Sequence, residues 1–118
     1  MWWQSGDRHL GHAARVAVAS AAEVYLSVAS AWEIAIKTST GKLRFPLDPP
    51  MLEQLGRNGF RELPIITAHT EAVRALPLLH RDPFDRMLIA QAQFEGLTIV
   101  TADAQFKRYG VPVLDATS

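Results

Sequence analysis

The chain has 118 residues, 48% of them hydrophobic, with twelve Lys plus Arg balanced by twelve Asp plus Glu and no cysteine. This suits a single domain over 1–118 with a core of its own, and it excludes disulfides and thiolate metal sites. Zero net charge excludes a generally basic surface, so RNA or DNA could be gripped only by a local patch. No apolar run nears the roughly 20 residues a membrane crossing needs, and MWWQSGDRHL lacks the basic start and apolar stretch of a signal peptide. No membrane association and a cytoplasmic location are expected.

In chain order, residues 9–21, HLGHAARVAVASA, carry helical spacing and predict a helix. EVYLSV (23–28), rich in β-branched and large apolar side chains, predicts a strand, and SAWEIAIKTST (30–40) a helix. GKLRFPLDPP (41–50) is a loop, followed by a helix over PPMLEQLGRN, a strand over ELPII (62–66) and a helix over AHTEAVRALPLL. DPFDRMLIAQAQFEG leads as a helix into the strand LTIVT (97–101). ADAQFKRYG then makes a short helix or turn before the last strand, VPVLD (111–115).

Such alternation predicts an α/β fold, with a mostly parallel sheet and helices on both faces. In such a sheet each crossover helix runs antiparallel to the strands, so helix N-termini and strand C-termini gather along one edge, where ligands bind. Glu33, in the first turn of the helix after YLSV, falls at that edge. Asp85, opening the helix before LTIVT, and Asp103, just after LTIVT, fall there too.

Each acid also has a purely structural use. Ser30-Ala31-Trp32-Glu33 fits a capping box, and Asp82-Pro83 fits an N-cap followed by proline at the first helical position, with Asp85 favoured by the helix dipole. Asp103 could cap the helix of AQFKRY. Taken singly, capping is the better account of each. Caps do not, however, require acids from distant segments to share one edge, whereas Mg²⁺ or Mn²⁺ takes several carboxylate oxygens and suits phosphodiester hydrolysis. Arg81 and Arg86 flank this edge as candidate grips for RNA phosphate. His9, His12, His69 and His80 have no ligand-like spacing, and Trp2, Trp3 and Trp32 read as core or partner-facing aromatics.

The segments SVASAWEIAIKTSTGKL, HRDPFDRMLIAQA and LTIVTAD, in that order and followed by a short terminal strand, resemble the PIN-domain toxins of the VapC type from toxin–antitoxin pairs. The resemblance implies a three-layer α/β/α sandwich, a Mg²⁺- or Mn²⁺-dependent endoribonuclease, a cognate antitoxin and a homodimer. Carried over by position, it implies Glu33, Asp85 and Asp103 as catalytic metal ligands and Thr101 as a supporting hydroxyl. Asp82 remains mainly a cap. Such toxins open with an apolar strand ending in aspartate, placed at the sheet centre. Here Met1 stands directly at the following helix, so a missing central strand, a gap with unpaired backbone and three acids instead of four are expected. Asp7, in a turn-like Ser5-Gly6-Asp7, does not replace the absent acid. The alternative expectation is therefore a truncated, weak or inactive PIN domain that binds the cognate antitoxin.

Overall fold

The computed structural model describes residues 16–46, 48–78, 82–101 and 103–115. Five strands form one sheet: β1 (Val16–Ala19), β2 (Val24–Ser27), β3 (Phe60–Leu63), β4 (Thr98–Thr101) and β5 (Val113–Asp115). Four helices, α1 (Val28–Ser39), α2 (Met51–Arg57), α3 (Thr67–Arg74) and α4 (Pro83–Glu95), and a 3-10 helix (Ala104–Tyr109) complete it. The sheet order is β3-β2-β1-β4-β5. β2 with β3 and β4 with β5 pair parallel, while β1 pairs antiparallel with both β2 and β4. The four outer strands thus share one direction, and the central strand opposes them.

Two expectations are corrected here. Val16–Ala19, read as part of a helix, is a strand, and the expected central gap is filled by it. Residues 9–15 lie outside the described ones. The reversal has a physical cause: Val-Ala-Val satisfies a period of two as well as a helical one, and the slot between β2 and β4 offers backbone partners on both sides. Val16 and Val18 enter the core on one face with Leu88, Ile89, Ile99 and Phe106, and Ala17 enters the other with Leu26, Ile34, Phe60 and Val100. Alternation of this kind belongs to a strand buried on both faces. The hairpin into β2 is closed by Ser20, whose N–H donates to the Glu23 carbonyl (2.9 Å) and whose Oγ accepts from Glu23 N–H (3.0 Å).

Helices α3 and α4 with the 3-10 helix cover the first face, and α1 with α2 the second, giving the three-layer α/β/α arrangement. The remaining strands and helices fall close to their predicted places. β3 is the exception, starting at Phe60 because Phe60 and Leu63 are the buried pair of FREL and Pro64 cannot extend the ladder. α4 ends where Gly96 takes a left-handed conformation (φ 69°) suited to glycine. At the sheet edge opposite the predicted site, the Arg61 guanidinium lies 2.6 Å from Glu23 and holds its carboxyl below the usual carboxylate range, across the β2–β3 register. Among the described residues, no helix is long and apolar enough to cross a membrane.

Candidate functional site

The C-terminal ends of the four like-directed strands define one edge. α1 leaves β2 there without a linker, and α4, which descends to Gly96 before β4 ascends, begins there. Because β1 is reversed, its first residue, Val16, lies at the same edge, opposite Thr101.

Buried polar side chains concentrate around this edge and the helix starts above it: Ser27, Ser30, His69, Asp85, Gln91 and Thr101 are all buried. Burial of such groups is unfavourable unless they are hydrogen-bonded, and the bonds they make tie the elements at this edge to one another. Ser27 is the N-cap of α1, its Oγ accepting from Ala29 N–H at 3.0 Å. The Ser30 hydroxyl donates to the Val16 carbonyl at 3.4 Å, joining α1 to the end of the central strand. Thr101 Oγ1 accepts from the Asp103 N–H at 3.2 Å and so fixes the turn that carries Asp103.

Asp82 caps α4 as its spacing predicts, accepting from Asp85 N–H at 3.0 Å with Pro83 at the first helical position. Replacing Asp82 by alanine is expected to lower stability by about 1 kcal/mol, read by urea denaturation. A loss below about 0.3 kcal/mol would show that the cap is dispensable. Asp85 stands in the first turn of α4 and is only 2% exposed. A carboxylate so shielded must be met by compensating polar or positive groups.

The capping box expected over Ser30–Glu33 does not form. Ser27 caps the helix instead, which moves Glu33 into the second turn, about 9 Å along the axis from the helix start. There it pairs with Lys37 at 3.2 Å. Arg86 directs its guanidinium to the carbonyls of Pro77 (3.0 Å), Val73 (3.4 Å) and Leu76 (3.5 Å), closing the end of α3. Arg81, His80, Trp2, Trp3 and Asp7 lie outside the described residues.

Glu33, Asp85 and Asp103 therefore ride on elements that meet at one edge, and their oxygens are of the type a hard divalent cation prefers. As placed, they do not fit one: among the described residues no group of three or more His, Asp or Glu side chains could hold a metal ion. Glu33 follows β2 and Asp103 follows β4, and β1 lies between those strands.

Two features escaped sequence reasoning. Gln91 and His69 are fully buried and joined in one network. Their only signal was a polar residue on the apolar stripe of a helix, Gln91 among Leu88 and Ala92. The second is an open apolar hollow of about 470 Å³ beside the edge, between α1, α3 and α4, lined by Trp32, Ile65, Val73, Leu78, Phe84 and Met87. Trp32, 60% exposed, meets Phe84 edge to face at 5.2 Å, so each ring neighbours one of the acids, Glu33 or Asp85, in sequence.

No curated protein and no solved structure matches the chain. The family model described as PIN domain matches residues 1–112. With nearly the whole length matched and a three-layer α/β/α sheet whose parallel strands present their C-terminal ends at one polar edge, the chain belongs to the PIN-domain family.

Proposed function

We propose that this protein is a metal-dependent endoribonuclease of a toxin–antitoxin pair, cutting RNA phosphodiester bonds at the edge that carries Glu33, Asp85 and Asp103. PIN domains are generally nucleases dependent on divalent metal ions, and family membership supplies the reaction class. The observation that carries the assignment to this edge is Asp85, a nearly inaccessible carboxylate in the first turn of a helix that begins there. Mg²⁺ or Mn²⁺ is the cofactor this reading requires, and the three acids would have to draw together to bind it. Thr101 holds the Asp103 turn. The remaining parts of the reading are a cognate antitoxin, a second copy of the chain and a cytoplasmic setting. The hollow beside Trp32 offers the apolar surface a protein partner would use.

A second reading is favoured by the separation of the acids: a catalytically weak or inactive PIN domain that binds the cognate antitoxin. One experiment divides the two. Purified chain is incubated with a mixed RNA pool and Mn²⁺, with and without EDTA, and separately with the adjacently encoded antitoxin on a sizing column. Cleavage that EDTA abolishes supports the nuclease. A complex without cleavage supports the binder, and absence of both would remove the toxin–antitoxin assignment altogether.

A further inference from the structure

We propose that Gln91 is a positioning residue for this edge, its carboxamide fixing α1 and α4, and with them Glu33 and Asp85, in their relative placement. The consequence for catalysis rests on the nuclease reading above, whereas the placement itself does not.

Gln91 lies in the middle of α4, fully buried among Leu88, Ile89, Ala90 and Ala92. An apolar side chain of similar length would fill that space without any desolvation of an amide. What the amide adds is direction. Its Oε1 accepts from the Ser27 hydroxyl, and its Nε2 donates to the Pro64 carbonyl at 3.2 Å and faces His69 Nδ1 at 3.4 Å. Through one side chain α4 is thereby joined to the cap of α1, to the segment leaving β3 and to the first turn of α3.

The network closes on itself. His69 Nδ1 also accepts from Ile66 N–H at 3.1 Å, so two donors aimed at this nitrogen assign the ring proton to Nε2. Nε2 then donates to Glu95 at 2.8 Å, at the far end of α4. Ser27 is used twice, as donor to Gln91 and as acceptor in the α1 cap, so the start of α1 cannot shift along α4 without breaking a bond. Apolar packing tolerates sliding far better than a fully satisfied buried network, which specifies a single arrangement. Glu33 and Asp85 project from the two helices so joined, and the Trp32–Phe84 contact bridges the same pair.

The test replaces Gln91 by methionine and, separately and together with it, Ser27 by alanine. Chain labelled with 5-fluorotryptophan reports the α1–α4 relation through the ¹⁹F resonance of Trp32, identified by its loss in Trp32→Phe. RNA cleavage is followed in parallel. Gln91→Met is expected to unfold cooperatively and to shift the Trp32 resonance. Its kcat should fall at least about ten-fold, as small misplacements do, with KM changed less than about two-fold. The double variant should lose less than the two single losses added together, since the Ser27–Gln91 bond is counted in both while the α1 cap and the Pro64 and His69 contacts are each lost only once. A folded Gln91→Met with wild-type resonance and wild-type kcat overturns the proposal, and so does a fall in kcat with the resonance unmoved. Should Gln91→Met fail to fold, Ser27→Ala is judged by the same two readouts. A shifted resonance in a protein whose wild type cuts no RNA upholds the placement and sinks the nuclease reading instead.

Discussion

Asp85→Asn should reduce RNA cleavage by about 100-fold or more while leaving a cooperatively folded chain. The substitution keeps the shape and the N-terminal placement on α4 but removes the negative charge, which is what a hard cation or a developing positive charge would need at that point. It is best judged against Asp82→Ala, one helical turn away in function as well as in position. Asp82 accepts a cap hydrogen bond, so its loss should appear in stability and not in the chemical step. Asp85 is the shielded carboxylate, so its loss should appear in kcat. Glu33→Gln and Asp103→Asn belong to the same series, measured as kcat and KM on one RNA with folding checked by thermal unfolding. Wild-type activity in all three would remove this edge from the chemistry and leave the acids as caps and ion-pair partners.

Val18→Asp should cost at least about 4 kcal/mol and leave much of the chain unfolded at ambient temperature, because natural stabilities are of the order of 5–15 kcal/mol. Val18 is fully buried in the central strand, paired with Tyr25 on one side and Ile99 on the other. A carboxyl group there would enter the apolar cluster that Val18 forms with Leu88, Ile89, Ile99 and Phe106. The size of the effect also decides the secondary structure of this segment. On the solvent face of a helix the same change would fall within about 0.5 kcal/mol, so equilibrium denaturation of Val18→Asp beside Val18→Ala separates a core strand from a surface helix.

The common edge was legible in the sequence because it depends on order and direction alone: strand, helix, strand, with acids at the junctions. Asp82-Pro83 was legible for a local reason, since cap and proline act within one turn. The central strand was not. VAVASA satisfies both periods, and only the slot between β2 and β4, made by residues far along the chain, selects the extended form. Glu33 was misplaced by one turn because Ser27 and Ser30 are both competent caps, and Ser27 takes the role while its hydroxyl also donates to Gln91. That network was illegible for the same reason, as its members come from β2, α3 and α4 and no spacing links them.

The reversed central strand also governs the order in which the molecule can be assembled. Its pairing with β2 is a hairpin and can form as soon as residue 27 is available, whereas its pairing with β4 joins nearly opposite ends of the described chain. Closing so long a loop is entropically slow, and non-local pairing of this kind retards folding. Until Thr98–Thr101 arrives, the hairpin presents an unpaired β1 edge with Val16 and Val18 uncovered, the form of intermediate most open to pairing with another chain. On the ribosome the sheet's middle is therefore begun early and finished late, and in that interval the young chain is most exposed to aggregation and to proteases.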